Sequence, residues 1–214
     1  MPDDSAVAAL TGTTRKPTVR AKHAASLIVL KMEAGEPHML MGMRGAKHRF
    51  MPNRLVFPGG RVDKADLRPH FASPLTPHTE RHLRKRANHQ LAVALAQAAA
   101  RELHEETGLS LGHPPHLHGL HYLARAVTPP KLPIRFNARF LVVQSDHVSG
   151  TLGGDGELEE LRFYGMTEAL ALDLALPTRR VLERLKLWLA LSEPERSALE
   201  ETPVLLRDRG WLME

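Results

Sequence analysis

The chain of 214 residues contains no cysteine. That excludes disulfides, thiolate metal sites and a cysteine nucleophile, and it suits a reducing compartment. Aromatic residues are scarce at 5%, and they do not alternate with basic ones. The stacking platforms that bind single-stranded nucleic acid are therefore missing, and nucleic acid is not an expected partner. No apolar run approaches the roughly 20 residues of a membrane helix, so no membrane partner is expected. The N-terminus carries Asp3 and Asp4 and lacks a signal-type apolar stretch, which points to a cytoplasmic protein. What remains is a globular composition, 43% hydrophobic and 25% charged, with a net charge of +5. A length of this order fits one well-filled domain, or one domain with appendages, and the basic balance by itself suits an anionic partner, whether nucleic acid, a membrane surface or a phosphorylated metabolite.

The densest chemical signal is Arg101–Glu102–Leu103–His104–Glu105–Glu106–Thr107–Gly108–Leu109. Glutamates at i, i+3 and i+4 share one helix face, where like charges repel and where carboxylates near the C-terminus oppose the macrodipole. A bound hard cation such as Mg²⁺ accounts for both costs, since it takes oxygen ligands of this kind. An exposed Glu-rich helix end paired with Arg101 is the alternative from charge spacing alone. Leu91, Leu95 and Ala98 lead at helical spacing into Glu102, Glu105 and Glu106, so the glutamates are expected to continue an inward stripe. The helix is expected from about Asn88, a suitable N-cap, to Thr107, with Gly108 as a left-handed stop.

Around it, residues 1–22 read as a flexible polar lead-in and residues 23–214 as one domain. Strands are expected at Ala24–Lys31, Pro37–Arg44, Leu117–Ala126, Arg135–Gln144 and Glu157–Tyr164, with a turn at Gly35. Pro58–Gly59–Gly60 breaks regular structure and frees the backbone for close approach to a ligand. Residues 67–87 form a proline-containing segment whose basic run at 81–86 reads as a solvated helix start. Thr178–Leu191 reads as an amphipathic helix within a C-terminal helical part over about 166–214, and with the apolar tail it could pack on a second copy as a homodimer. His113, His116, His118 and His121 are spaced for neither a helix face nor a zinc motif, and two prolines interrupt them, so a polar loop entering a strand is the expectation.

These residues resemble the Nudix hydrolases, whose signature is a Gly, five residues, an acid, seven residues, then Arg-Glu-apolar-x-Glu-Glu-x-Gly-apolar. Gly60 is followed after five residues by Asp66, where the family usually has Glu, and residues 101–109 match the second half in full. Thirty-four residues separate Asp66 from Arg101, an excess of 27. The excess reads as a basic insertion over about 67–93 that extends a surface loop. Arg44, Arg49, Phe57–Gly60 and Asp63 resemble the motif of coenzyme A diphosphatase-like members, some of which also carry an insertion inside the box.

The resemblance implies an α/β (α+β) Nudix fold, a mixed sheet sandwiched between helices. It also implies a small-molecule partner, a nucleoside diphosphate derivative whose diphosphate linkage is hydrolysed. Coenzyme A or acyl-coenzyme A is one such substrate; a dinucleotide, a nucleotide sugar or capped RNA is the alternative. An inactive Nudix-fold binding module is the alternative of another class, and the intact Arg101, Glu102, Glu105 and Glu106 argue against it. By the same resemblance, Glu102, Glu105, Glu106 and the Gly59 carbonyl hold Mg²⁺ or Mn²⁺, and Arg101 orients the carboxylates. Arg44, Arg49 and Gly60 bind substrate. Glu157 is the candidate base alongside Glu105, with Glu160 as runner-up.

Overall fold

A computed structural model describes residues 19–45, 51–206 and 210–214. The expected lead-in over 1–22 falls largely outside them, as does Arg49. Eleven strands are formed among the described residues: β1 (Lys22–Glu33), β2 (Glu36–Arg44), β3 (Leu55–Val56), β4 (Gly59–Arg61), β5 (Leu109–Ser110), β6 (His121–Val127), β7 (Phe136–Gln144), β8 (Ser149–Gly150), β9 (Leu158–Gly165), β10 (Pro203–Leu206) and β11 (Gly210–Met213). The helices are α1 (Pro77–Arg84), α2 (His89–Thr107), α3 (Met166–Ala171), α4 (Leu176–Leu189) and α5 (Glu193–Ser197). Nine strands join in the order β11-β10-β6-β7-β1-β2-β3, with β4 on β1 and β9 on β2. β1 and β7 run parallel, as do β6 and β10, and the other pairings are antiparallel, so the sheet is mixed.

Helices cover both faces, which explains why β1 reads as a nearly continuous apolar run. Its side chains alternate between layers with the period of a strand. Ala25, Leu27 and Val29 pack with α1 and α2, and Ile28 and Leu30 pack with α3 and α4. Asn88 caps α2 by accepting from the Leu91 N–H at 2.8 Å, and Gly108 ends it at φ +72°. The turn at Gly35 also has positive φ, +82°. Alanines over most of the buried stretch 92–100 let α2 lie close against its neighbours.

Four expectations change. Residues 117–120 are not strand; Leu117 and Leu120 are buried in a turn that precedes β6. The basic run is no solvated helix start, because Arg81–Arg84 close α1, a separate helix capped by Thr76. Basic residues there complement the helix C-terminus. The segment after Asp66 is also more than a surface loop. Leu75 and Leu83 are buried in the α2-side core, with Phe71 packed against them. Its expected end at residue 93 lies inside α2, which starts at His89. Finally, the C-terminal part is not helical throughout. Residues rich in Val and Leu form β10, which extends the sheet beside β6, and β11 pairs back on it. Val204 and Leu205 are thereby buried in the chain's own sheet.

His82 ties α1 to the C-terminal segment. It is 3% exposed, stacks on Tyr122, and places Nδ1 2.8 Å from Thr202 Oγ1 and Nε2 3.0 Å from the Leu199 carbonyl. Burial, reinforced by the nearby His78, pushes its pKa down from 6.5 to about 4. The unfolded chain therefore takes up a proton near pH 6.5 that the folded chain refuses until about pH 4, so stability falls as pH drops through this window. We expect wild-type stability to decline by about 3 kcal/mol from this residue between pH 7 and pH 4. Urea titrations at pH 7 and pH 4.5 check it: a His82→Gln variant should lose less stability between the two than the wild type, and an equal loss would remove the assignment.

Candidate active site

α2 and the β4 turn build the site together. Gly59 pairs with Ser26 of β1 in a backbone conformation open to glycine (φ +152°), and a methyl there would strike the Ser26 Cα. This close seat lets the Gly59 N–H donate to Glu106 Oε2 at 2.7 Å. Glu106 is 2% exposed, and its Oε1 has no hydrogen-bond partner, only the Arg44 Nη2 at 3.8 Å. Burial, with the like charges of Glu102 and Glu157, outweighs the Gly59 bond and Arg44 and pushes the Glu106 carboxyl up to about 8. Glu102 is also raised, chiefly by burial. Its carboxylate lies against Gly60, where a Cβ would overlap it. A Gly60→Ala substitution must therefore displace Glu102; we expect at least a tenfold fall in divalent-metal affinity, measured by calorimetry.

Arg101 is the hub. It grips Asp66 bidentately, Nε to Oδ1 and Nη2 to Oδ2, both at 3.1 Å. Its Nη1 donates to Glu102 Oε1 at 2.9 Å and to Glu105 Oε2 at 2.8 Å, and its Nη2 to the Arg61 carbonyl at 3.0 Å. Burial alone would lower the Arg101 pKa, but the bonds and charges of Asp66 and Glu102 raise it, so the guanidinium is locked in its charged form. Asp66, despite the 27 extra residues between it and Arg101, is held against α2 by that guanidinium. Gln97 holds it there: the buried amide donates to the Asp66 and Arg68 carbonyls and accepts from the His70 N–H. Nothing in the sequence marked Gln97; the position of Asp66 relative to Gly60 was the available signal for its partner.

The three glutamates do not share one environment. Glu106 is buried, Glu102 half-buried, and Glu105 exposed on the rim, so the inward stripe ends at Glu106 and excludes Glu105. At 100° per residue one helix cannot turn i, i+3 and i+4 equally inward. Among the described residues no three acidic or imidazole side chains converge as a ready-made metal cluster. The reason is electrostatic: Arg101 draws Glu102 and Glu105 to itself, while Glu106 turns to Gly59 and Arg44. The donor set still fits a hard cation. Glu106 Oε1 is a buried carboxylate oxygen without a hydrogen bond, a kind of group rarely left so, and Glu102 adds oxygens beside Gly60.

A cleft of about 610 Å³ opens from these residues, lined at one end by Gly59, Gly60, Glu102, Arg44 and Glu157. Glu157 Oε1 lies 3.7 Å from Arg44 Nη2. It precedes β9 rather than opening it. Glu160 sits in a bulge of β9 opposite Gly42 of β2, with φ +49°, exposed and outside the cleft lining. The rest of the wall is apolar, with Phe136, Ala138, Phe140 and Leu205, and the start of α4 joins it. Of the clustered histidines, His113 packs its ring on His104, His116 on His118 and His121 on Trp188, and residues 111–120 form a loop that leads into β6.

Residues 90–185 match the NUDIX domain family. That span opens at the start of α2, downstream of Gly60, Asp66 and the inserted segment, and includes the whole second half of the box. No curated protein sequence matches the chain. A NUDIX hydrolase from Alicyclobacillus acidocaldarius is 25% identical with a TM-score of 0.60, covering 77% of this chain and 90% of its own. The NUDIX domain of Shewanella oneidensis NrtR, solved with ADP ribose, shares the fold at 13% identity and a TM-score of 0.54, over 89% and 100%. A MutT NUDIX hydrolase from Burkholderia pseudomallei does so at 18% identity and a TM-score of 0.51, over 78% and 99%. The domain match, the fold and the second half of the box coincide on α2, and residues 90–185 accordingly carry a NUDIX domain, which with the Nudix hydrolase neighbours supports a pyrophosphohydrolase.

Proposed function

We propose that the chain hydrolyses the diphosphate linkage of a nucleoside diphosphate derivative in a divalent-metal-dependent reaction, with coenzyme A or an acyl-coenzyme A as the first substrate to test. The observation that carries the metal dependence is the buried Glu106 carboxylate, with one oxygen held by Gly59 and the other without a hydrogen bond. Mg²⁺ or Mn²⁺, when bound, supplies charge neutralisation at the non-bridging phosphate oxygens and a more acidic water. Glu102, Glu106 and the Gly59 carbonyl would hold it, with Glu105 joining once its side chain leaves Arg101. Arg101 fixes Glu102 from behind, as its fork geometry allows.

The remaining roles belong to the cleft. Arg44 sits between Glu106 and Glu157, placed to bind a phosphate oxygen, and Arg49 and Gly60 are assigned to the same substrate. Glu157 takes the proton from the attacking water; the water oxygen bonds to one phosphorus as the bridging P–O bond breaks, leaving two phosphorylated products. Coenzyme A is favoured by the resemblance of Arg44, Arg49, Phe57–Gly60 and Asp63 to the coenzyme A diphosphatase motif, and the apolar wall has room for a non-nucleotide moiety.

A hydrolysis panel of coenzyme A, NADH, ADP-ribose, a diadenosine polyphosphate and a nucleotide sugar, with Mg²⁺ or Mn²⁺, tests this. We expect coenzyme A species to turn over fastest, activity to vanish with chelator, and Glu105→Gln to fall about tenfold or more. Turnover of another substrate without coenzyme A would remove the narrower assignment, and undiminished turnover in chelator would remove the metal.

A further inference from the structure

We propose that Asp155 is a positioning residue for the reaction, tying the assigned proton acceptor Glu157 to the turn of α2 that bears Glu105 and Glu106. This inference rests on the reading of Glu157 as the base and deepens it. A helix ends on carbonyls that its own turns cannot satisfy. The segment between β8 and β9 takes up two of those of α2. The Gly153 N–H donates to the Thr107 carbonyl at 2.9 Å, and the Asp155 N–H donates to the Glu105 carbonyl at 3.2 Å. Gly154 lies between these bonds, so close to the helix that a Cβ there would collide with the Glu106 carbonyl. Backbone contacts alone thus register the segment on the last turn of α2.

From that anchor the side chain of Asp155 reaches forward. Its Oδ1 accepts from the Glu157 N–H at 2.9 Å. The bond closes a tight turn over Gly156, whose φ of +86° suits glycine. Glycine fills four of the seven positions 150–156, so the backbone leading to Glu157 has little stiffness of its own. From the β2 side, the Gly45 N–H meets the Glu157 carbonyl only at 3.5 Å, the longer and weaker restraint. Asp155 therefore sets where Glu157 leaves the loop, and with it the approach of Glu157 Oε1 to Arg44 Nη2 at 3.7 Å in the cleft wall. Asp155 itself is exposed and outside the cleft lining, so it acts through Glu157. A reacting group misplaced by about 1 Å can cost about 10²-fold in rate. Loss of one exposed bond lets Glu157 revisit its place, so a smaller effect is expected.

Steady-state kinetics on the full chain, with the panel substrate that the wild type hydrolyses fastest, test this beside Mg²⁺ calorimetry. Asp155→Ala should lower kcat about tenfold and leave KM and Mg²⁺ affinity within about twofold, because the backbone bonds to α2 remain. Asp155→Asn keeps an accepting Oδ1 and should return kcat to within about twofold of the wild type. In a Glu157→Gln background, Asp155→Ala should add no further loss, as expected of two residues acting as one unit. Wild-type kcat in Asp155→Ala, an Asn variant as impaired as the Ala variant, or an about tenfold loss of Mg²⁺ affinity in Asp155→Ala would overturn the positioning role. If Glu157→Gln loses activity and Asp155→Ala does not, the base stands and the positioning role alone falls. Wild-type kcat in Glu157→Gln, or a wild type that hydrolyses none of the panel, would remove the base and the positioning role together.

Discussion

Replacing Glu106 with Gln is expected to lower kcat by about 10²–10³-fold, while stabilising the metal-free protein at alkaline pH. The two effects have one origin. Glu106 is buried with a single hydrogen bond, and its pKa is pushed up to about 8. The unfolded chain ionises this carboxyl near pH 4.5, whereas the folded chain keeps the proton until about pH 8. Stability from the protonated group is thus complete at low pH and is lost as pH rises through 8. Ionising it inside the protein costs on the order of a few kcal/mol, which a divalent cation would offset and a neutral amide never incurs. Thermal melts in chelator should show the variant above the wild type at pH 8.5, with the gap closing by pH 5. Mg²⁺ or Mn²⁺ should raise the wild-type melting temperature and leave the variant unmoved. A cation shift of equal size in both proteins would place the metal elsewhere.

Removal of the Asp66 carboxylate, by Asp66→Ala, is expected to destabilise the fold by about 3 kcal/mol and to reduce activity together with metal affinity. Asp66 is 5% exposed and holds both edges of the Arg101 fork. Without it the half-buried guanidinium keeps only Glu102, Glu105 and the Arg61 carbonyl. Glu102 would then follow Arg101 away from Gly60. Asp66→Asn retains the shape and one acceptor, so an intermediate loss is expected, and denaturant titration beside metal calorimetry separates the two contributions. A variant with wild-type metal affinity would mean that the insertion has freed Asp66 from the site.

Much of the architecture was legible along the chain. β1 and β2 came from buried apolar runs across a glycine turn. α2 came from an N-cap asparagine, a helical apolar stripe and a glycine stop. Each of these signals is local, because caps, periods and left-handed turns act over a few residues. The box itself was equally readable, since Arg101–Leu109 is contiguous.

Other features depended on distance in sequence. Whether α1 would be solvated could not be decided from a basic run; the burial of His82 and Leu83 requires Tyr122, Thr202 and Leu199, which lie about 40 to 120 residues away. β10 needed an open parallel edge on β6, which a four-residue stretch cannot announce. Spacing put the three glutamates toward one side of the helix, and packing decided that Glu106 and not Glu105 is the one buried. Composition and periodicity, which are local properties, were enough for the chain alone to mark the main strands and helices, and the resemblance carried by the contiguous half of the box implied a mixed, helix-covered sheet and a Nudix-type hydrolase. The tertiary structure decided that Asp66 returns to Arg101 across the insertion, that Glu106 keeps a buried oxygen without a hydrogen bond, and that the start of α4 enters the cleft. Each of these is set by which surfaces bury one another, and burial is a property of the whole fold.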